Sequence, residues 1–383
     1  MLKWPYPHIV CRKESTLLDR FELQEKDTVR VTERNLRETV VAIFEKAGVP
    51  QEDCLLAADV LVTADLRGVT SHGVSNLLRG YMEMYKEGLM NPRPQWRILR
   101  ESPATASIDS DEGLGIIIAP KAMGLAIEKA RNVGIGMVTI MNGRHLSMAS
   151  YHAMLALRHN MIGMCMTSTT PYMVPTFGAE ARLGTNPIAV AAPADKEAPF
   201  VYDAATTVIA NGKQILARRL GIKLGPGWVA DANGTPIMEE VAPPPAGIDG
   251  IFPYIDRLLP LGSTREMGSH KGYGLAGTVE VFSSILTGGG YSAQNGKNNC
   301  NHCVVAYNIE SFMDTAEFKR TMDEWLRMLK STKPAPGHDR VLYPGQLEAE
   351  HEAECKAKGI PLHREVIEWF RSTCGNLHIP CKV

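Results

Sequence analysis

His270-Lys-Gly-Tyr-Gly-Leu-Ala-Gly277 contains the spacing Gly272-x-Gly274-x-x-Gly277, and its reading decides the fold. In a doubly wound dinucleotide domain such glycines follow a strand directly, open a helix, and precede by about twenty residues an acidic side chain that takes the ribose. Here the polar segment Arg265-Glu-Met-Gly-Ser-His-Lys271 comes before them, and Tyr291 and its neighbours stand where the acid belongs. A Rossmann domain is therefore rejected. What remains is a helix start at which Ser269, His270 and Lys271 gather donors and positive charge, a setting that suits a phosphate and equally an ordinary solvated helix end.

Outward from this point the chain changes texture twice. Thr32 caps a helix whose Leu36, Val40, Ile43, Phe44 and Ala47 share one face, and Gly48-Val-Pro50 ends it. Further helices are expected over 51–64 and from Ser71, as N-cap, to Gly88. After Asn91-Pro-Arg-Pro94, short apolar runs alternate with helical ones: strands over 104–108, 136–141, 161–167, 188–192 and 200–203, a helix over 120–131 with Pro120 at its first position, and a helix over 147–159 capped by Ser147. A Pro- and Gly-rich stretch near 242–250 precedes a long helix over 273–286. The last part has a strand over 303–309 and amphipathic helices over 316–329, 347–358 and 364–372. The fold class read from this is α/β (α+β), non-Rossmann. A helical domain built from both chain ends, 30–103 with 306–383, carries an inserted α/β cofactor-binding domain, 104–305, and 1–29 form an N-terminal extension.

Composition narrows the function. The 41 basic and 42 acidic residues leave a net charge of −1 with no long run of either sign, so nothing favours nucleic acid or a membrane surface. No run approaches the length of a transmembrane helix, and residues 1–28 hold no continuous apolar segment. A cytoplasmic location is expected. The eight cysteines are scattered and read as free thiols. Cys300-Asn-His-Cys303 lacks the second ligand pair a zinc site needs, so no metal is expected.

Four segments place reactive side chains at element ends. His72 lies in the first turn after Ser71, beside Gly73, whose low helix propensity makes sense where something approaches the backbone closely. His145 follows the strand over 136–141, Leu183-Gly-Thr-Asn-Pro187 offers a hydroxyl and an amide, and Asp203 ends a strand. Two imidazoles, a carboxylate and the Thr185–Asn186 pair together suit proton transfer to a carbonyl, with the carboxylate fixing an imidazole tautomer.

DLRGVTSHGV (65–74), GLMNPRP (88–94), NGRHLSMASYH (142–152), PTFGAEARLGTNPIAVAAPA (175–194), VYDAATT (201–207), HKGYGLA (270–276) and YPGQLEAE with GIPL (343–362) resemble, in order, the malate/L-lactate dehydrogenase family of non-Rossmann NAD(P)-dependent oxidoreductases. That family includes sulfolactate, ureidoglycolate and diketogulonate dehydrogenases and an imine-reducing branch. The resemblance implies a homodimer, NAD or NADP as cofactor, and a small 2-oxo or 2-hydroxy acid as substrate. It passes the proton-donor role to His72 and places His145 and Asp203 in the catalytic set. It implies cofactor contacts at His145, Ser147, Ser168, Thr169, Asp203, Thr206, His270, Lys271, Gly345 and Gln346.

The chain departs from the family pattern at Leu146-Ser147, at Thr207, and at Asn76, where an arginine is common. On a helix opened by Ser71, residues His72, Asn76 and Arg79 share one face, so Asn76 and Arg79, with Thr185 and Asn186, are the expected substrate contacts. Arg79, two turns along, would meet a distal carboxylate, which predicts a substrate larger than lactate or pyruvate. Arg182 is the alternative clamp. The expected reaction is hydride transfer between NAD(P)H and a 2-oxo acid, with reduction of a cyclic imine carboxylate, or a catalytically silent nucleotide-binding relative, as the other readings.

Overall fold

The computed structural model describes residues 19–21, 23, 25–244, 257–295 and 299–383. The Pro- and Gly-rich stretch near 242–250 lies outside them from residue 245 onward, as do residues 1–18 of the N-terminal extension. In chain order, β1 (Thr28–Val31) leads to three helices, α1 (Glu33–Lys46), α2 (Gln51–Leu66) and α3 (Val74–Lys86). Then come β2 (Arg97–Glu101), β3 (Thr105–Asp109), α4 (Gly115–Val133), β4 (Ile135–Gly143), α5 (Ala149–Met154), β5 (Met161–Ser168), β6 (Ile188–Ala192), β7 (Phe200–Ala204) and α6 (Gly212–Leu220). The last third holds α7 (Ser269–Glu280), which runs into a π turn Val281–Ile285, then α8 (Ser292–Asn295), β8 (Cys300–Asn308), α9 (Thr315–Lys330), α10 (Gln346–Lys358), β9 (Ile360–His363) and α11 (Arg364–Leu377).

Seven strands form one sheet in the order β2-β3-β4-β8-β5-β6-β7, and only β3 and β4 run parallel. β8, the last of the seven in the chain, is inserted at the centre between β4 and β5. It is buried from Cys300 to Ala306, which explains why Cys303 to Tyr307 reads as an apolar run rather than an alternating one and why the polar Asn301 and His302 before it, also buried, kept the start of the strand out of the sequence reading. Its side chains still point to opposite faces. Val304 and Ala306 join Val138, Ile140 and Cys165 in the main core under α4 and α5, while Cys303 and Val305 pack with Met166 and with Val279 of α7 on the other face. The main core is continuous from Val31 to Cys374, so residues from both chain ends, the long helix α2 and the sheet all share it. β1 and β9, four residues each, pair with one another outside the main sheet.

Several local expectations shift. α4 begins at Gly115, so Pro120 lies inside the helix rather than at its first position, because the apolar run Ile116–Ala119 is already helical and buried. Ser147 caps nothing: it has φ +64° and α5 starts two residues later. Ser71 is not an N-cap either, since α3 begins at Val74. β1, β2, β9 and α6 had no counterpart in the sequence reading. Among the described residues, no helix is long and apolar enough to cross a membrane.

Two glycines set how closely helices seat on the sheet. A Cβ on Gly136 of β4 would overlap the Ala126 carbonyl of α4, and one on Gly163 of β5 would overlap the Ala153 carbonyl of α5. In both places backbone touches backbone and no side chain can yield. Gly136→Ala and Gly163→Ala should each destabilise the chain by at least roughly 1–3 kcal/mol, the cost of overpacking, read from denaturant midpoints, whereas Gly124→Ala, with open space at its Cβ, should not.

Candidate active site

His72 closes the turn between α2 and α3. Its N–H donates to the Val69 carbonyl at 2.9 Å, its carbonyl accepts from the Ser147 hydroxyl at 2.6 Å, and Val74, next but one, donates its N–H to the Asp65 carboxyl at 2.7 Å. The His72 ring stacks on the ring of His145, with centroids 5.7 Å apart and planes 14° from parallel. At His145, Nδ1 accepts from the Ser147 N–H at 3.1 Å and meets the Tyr81 hydroxyl at 2.8 Å. A backbone donor on Nδ1 leaves the proton of the neutral ring on Nε2. At His72, Nδ1 meets the Ser71 hydroxyl at 2.8 Å, a group that can donate or accept.

A cleft of about 220 Å³ opens beside this pair, lined among others by Arg67, His72, Ser147, Thr185, Asp203 and Glu348. The expected residues thus separate into groups. His72, Ser147, Thr185 and Asp203 line the cleft, and His145 backs His72. Ser168, Thr169, Asn186 and Thr206 lie beneath, spent on the scaffold: Asn186 accepts from the Thr169 N–H and donates to Glu280 and the Ala276 carbonyl, and the Thr206 hydroxyl donates to the carbonyls of Thr185 and Asn186. Asn76 is buried, with Oδ1 accepting from Arg219 at 2.7 Å and its amide donating to the Gly212 carbonyl. Arg79 does not share the cleft; it pairs with Glu365 at 2.6 Å and lies over the Trp369 ring. Arg182 pairs with Glu180 on the surface. The shared face of His72, Asn76 and Arg79 fails because His72 precedes the helix, so helical spacing does not apply to it. Nor does Asp203 orient an imidazole: its described hydrogen bonds come from Ser150.

His270 and Lys271 stand in the first turn of α7, exposed, with His270 against Arg265. A second cavity of about 300 Å³ lies beside them, lined by Thr176, Phe177, Arg265 and Ser269 among others. The two cavities are neighbours: Ala205 lines the first and Pro260 the second, and the Thr206 carbonyl between them accepts from the Leu261 N–H at 2.8 Å. Gly345 packs on Val201, itself a cleft residue, and opens α10 with Gln346 as its first residue.

Sequence reasoning missed Arg67, Arg219, Tyr81 and Asp65. Arg67 is the only Arg or Lys among the described residues lining the cleft, with Glu352 as its described partner at 2.9 Å. It lies within DLRGVTSHGV, five residues from His72, and that proximity was the available signal. His302, between Cys300 and Cys303, uses both ring nitrogens, accepting from Thr167 at 2.7 Å and donating to the Arg144 carbonyl at 3.0 Å. It is a strut. No cluster of metal-ligating side chains occurs among the described residues.

With this geometry in place, the likeness to known proteins is specific. Residues 31–371 match the family model described as malate/L-lactate dehydrogenase. The chain belongs to the malate/L-lactate dehydrogenase family. It is 40% identical to a malate dehydrogenase of Pyrococcus abyssi over 353 residues, 90% of this chain and 94% of that one. It is 38% identical to an L-sulfolactate dehydrogenase of Methanocaldococcus jannaschii, over 90% of this chain and 96% of that one. The crystal structure of a malate dehydrogenase from Entamoeba histolytica superposes with a TM-score of 0.86 at 32% identity, covering 92% of this chain and 99% of that one.

Burial governs the electrostatics. It lowers His72 and His152 to about 4 and His145 and His302 to about 3, so all four are neutral at pH 7. The same cause raises Asp65 to about 7 and Asp203 to about 6, in both cases against the pull of hydrogen bonds. Between pH 6.5 and 4 the unfolded chain binds protons on four imidazoles that the folded chain leaves neutral, so stability falls as pH falls. The two carboxyls act in the opposite sense, because the folded chain holds their protons, and they offset only part of it. Denaturant midpoints should therefore drop from pH 6.5 to 4.5, and His152→Gln should flatten that slope by about one proton.

Proposed function

We propose that the chain moves a hydride between NAD or NADP and the carbon of a 2-hydroxy or 2-oxo acid, with His72 as the proton-transfer group. The observation that carries this reading is the neutral His72 at the mouth of a cleft it shares with Asp203 and Arg67, its ring stacked on His145. The cofactor's nicotinamide, when bound, supplies or accepts the hydride. The residues fit such a group: Gln346 Oε1 is buried with no described partner, an acceptor suited to a carboxamide N–H. The second cavity, beside the N-terminus of α7 with Arg265 and Ser269 in its wall, suits a phosphate-bearing moiety.

In the oxidative direction, neutral His72 accepts the hydroxyl proton at Nε2 while Nδ1–H donates to Ser71. In the reductive direction it must enter as imidazolium, and an anionic substrate beside it favours that state. Arg67 would hold the substrate carboxylate, a role supported by its place in the cleft wall, which neither Arg79 nor Arg182 lines. The same chemistry supports a 2-oxo acid over a cyclic imine carboxylate, because the relatives with the highest identity described above are named for hydroxy acids.

A panel of 2-oxo acids run with both cofactors tests the reaction and the cofactor choice together. His72→Asn should lower turnover by roughly 10²–10⁴-fold, with cofactor affinity near wild type. Arg67→Met should raise KM for the acid more than it lowers kcat. For the oxidation, kcat/KM should fall as pH drops through the free-enzyme value of His72, about 4, and for the reduction it should fall as pH rises above that value. Turnover unaffected by His72→Asn across the panel would reject this assignment.

The location we propose is cytoplasmic and the assembly a homodimer. Val281, Phe282, Ile285 and Leu286, in and beside the π turn, are each 40–57% exposed and make an apolar face too large for a solvent-facing helix. Ile285→Glu should shift the sedimenting species from dimer to monomer.

A further inference from the structure

We infer that Asp65 is the positioning residue for His72, holding the catalytic turn from the end of the preceding helix. This rests on the proton-transfer reading of His72. The helix after that turn, α3, opens at Gly73, which has no side chain to cap it. The cap comes from nine residues back: Asp65 Oδ2 accepts the Val74 N–H at 2.7 Å, supplying a carboxyl oxygen at the positive end of the helix dipole.

Gly73 explains itself through the same contact. Its φ of −88° and ψ of −170° are extended backbone open to any residue, so conformation does not demand glycine there. Space does: a Cβ at position 73 would fall inside the Asp65 carboxyl. Asp65 itself is 2% exposed, and its second oxygen, Oδ1, is buried without a hydrogen-bond partner. A buried, half-satisfied carboxyl is costly, and nothing in the core of α2 calls for one. What it secures is the C-terminal end of a short turn whose other anchors are the Val69 carbonyl on the His72 N–H and the Ser147 hydroxyl on the His72 carbonyl. With all three in place the imidazole stays stacked on His145. The raised value of Asp65, about 7, agrees with a role filled by an oxygen acceptor rather than by a charge.

The test combines kinetics with a direct view of the ring. Asp65→Ala should lower kcat about 100-fold, the scale of a misplacement of about 1 Å, while cofactor affinity stays within about twofold. Asp65→Asn, which keeps the acceptor, should retain kcat within about threefold. In protein labelled with ¹⁵N-histidine, the His72 resonance, assigned by its loss in His72→Asn, should move in Asp65→Ala and titrate closer to the ordinary 6.5, while that of His302 on β8 stays put. Gly73→Ala should reproduce the loss, and adding it to Asp65→Ala should cost little more, because both changes break one contact. Asp65→Ser carries the same measurements where Asp65→Ala does not fold. A His72 resonance unmoved in Asp65→Ala, or an Asp65→Asn as damaged as Asp65→Ala, would overturn the inference. Full turnover in His72→Asn would instead remove His72 from the chemistry and leave the resonance test of Asp65 intact.

Discussion

One imidazole inside the sheet holds the site's foundations in register. His302, on the central strand β8, reaches the Thr167 hydroxyl near the end of β5 on one side and the Arg144 carbonyl just past β4 on the other. The loops that leave those two strands carry His145 and Ser147 in one case and Thr169 in the other. Asn301, its neighbour, repeats the bridge by accepting from the Asn142 N–H and from the Ser168 hydroxyl through its own carbonyl. The part of the cleft wall contributed by Ser147 and its neighbours follows β4, whose spacing from β5 this one strand sets. Because His302 needs a donor and an acceptor at once, it is tied to the neutral state that burial enforces.

Burial keeps most of the titratable groups at the site neutral, while Arg67, paired with Glu352, and Glu348 stand in the cleft wall. Four imidazoles stay unprotonated and two carboxyls are pushed toward their acid forms. Under the proposed role of His72 in proton transfer, an arriving substrate carboxylate would favour the protonated imidazole that reduction needs.

Much of this was legible in the sequence, and the losses have physical reasons. α1, whose cap Thr32 accepts the Asn35 N–H through its hydroxyl oxygen, and the strands β5, β6 and β7 fell where periodicity put them. His72, His145 and Asp203 stood out because polar side chains at element ends, in a recognisable order, carry strong local signal, and the folded chain puts His72 and Asp203 in one cleft wall with His145 stacked on His72. β1 and β9 were missed because each is four residues long and has meaning only as the other's partner across the whole chain. β2 was missed because Arg-Ile-Leu-Arg-Glu is an exposed edge with no buried face to reveal. The arginines were misassigned for a related reason. Helical spacing placed Arg79 on the same face as His72, but His72 precedes the helix, and only the folded chain shows that Arg67 lines the cleft while Arg219 on α6 donates to the amide oxygen of Asn76.

The place of β8 also sets an order of events at the ribosome. His302 joins partners 135 and 158 residues upstream, so β4 and β5 leave the exit tunnel long before the strand that must lie between them. Until residue 308 has emerged, the edges by which β4 and β5 pair with β8 in the finished sheet have no partner strand. Pairing β4 directly with β5 would satisfy those edges early and shut β8 out. The antiparallel register each of them shares with β8 makes β4 and β5 run the same way, and with only α5 between them such a direct parallel pairing is an easy error for a nascent chain to make. A chaperone that shields this half-built sheet during synthesis would therefore act on the one step where a wrong neighbour is closest to hand.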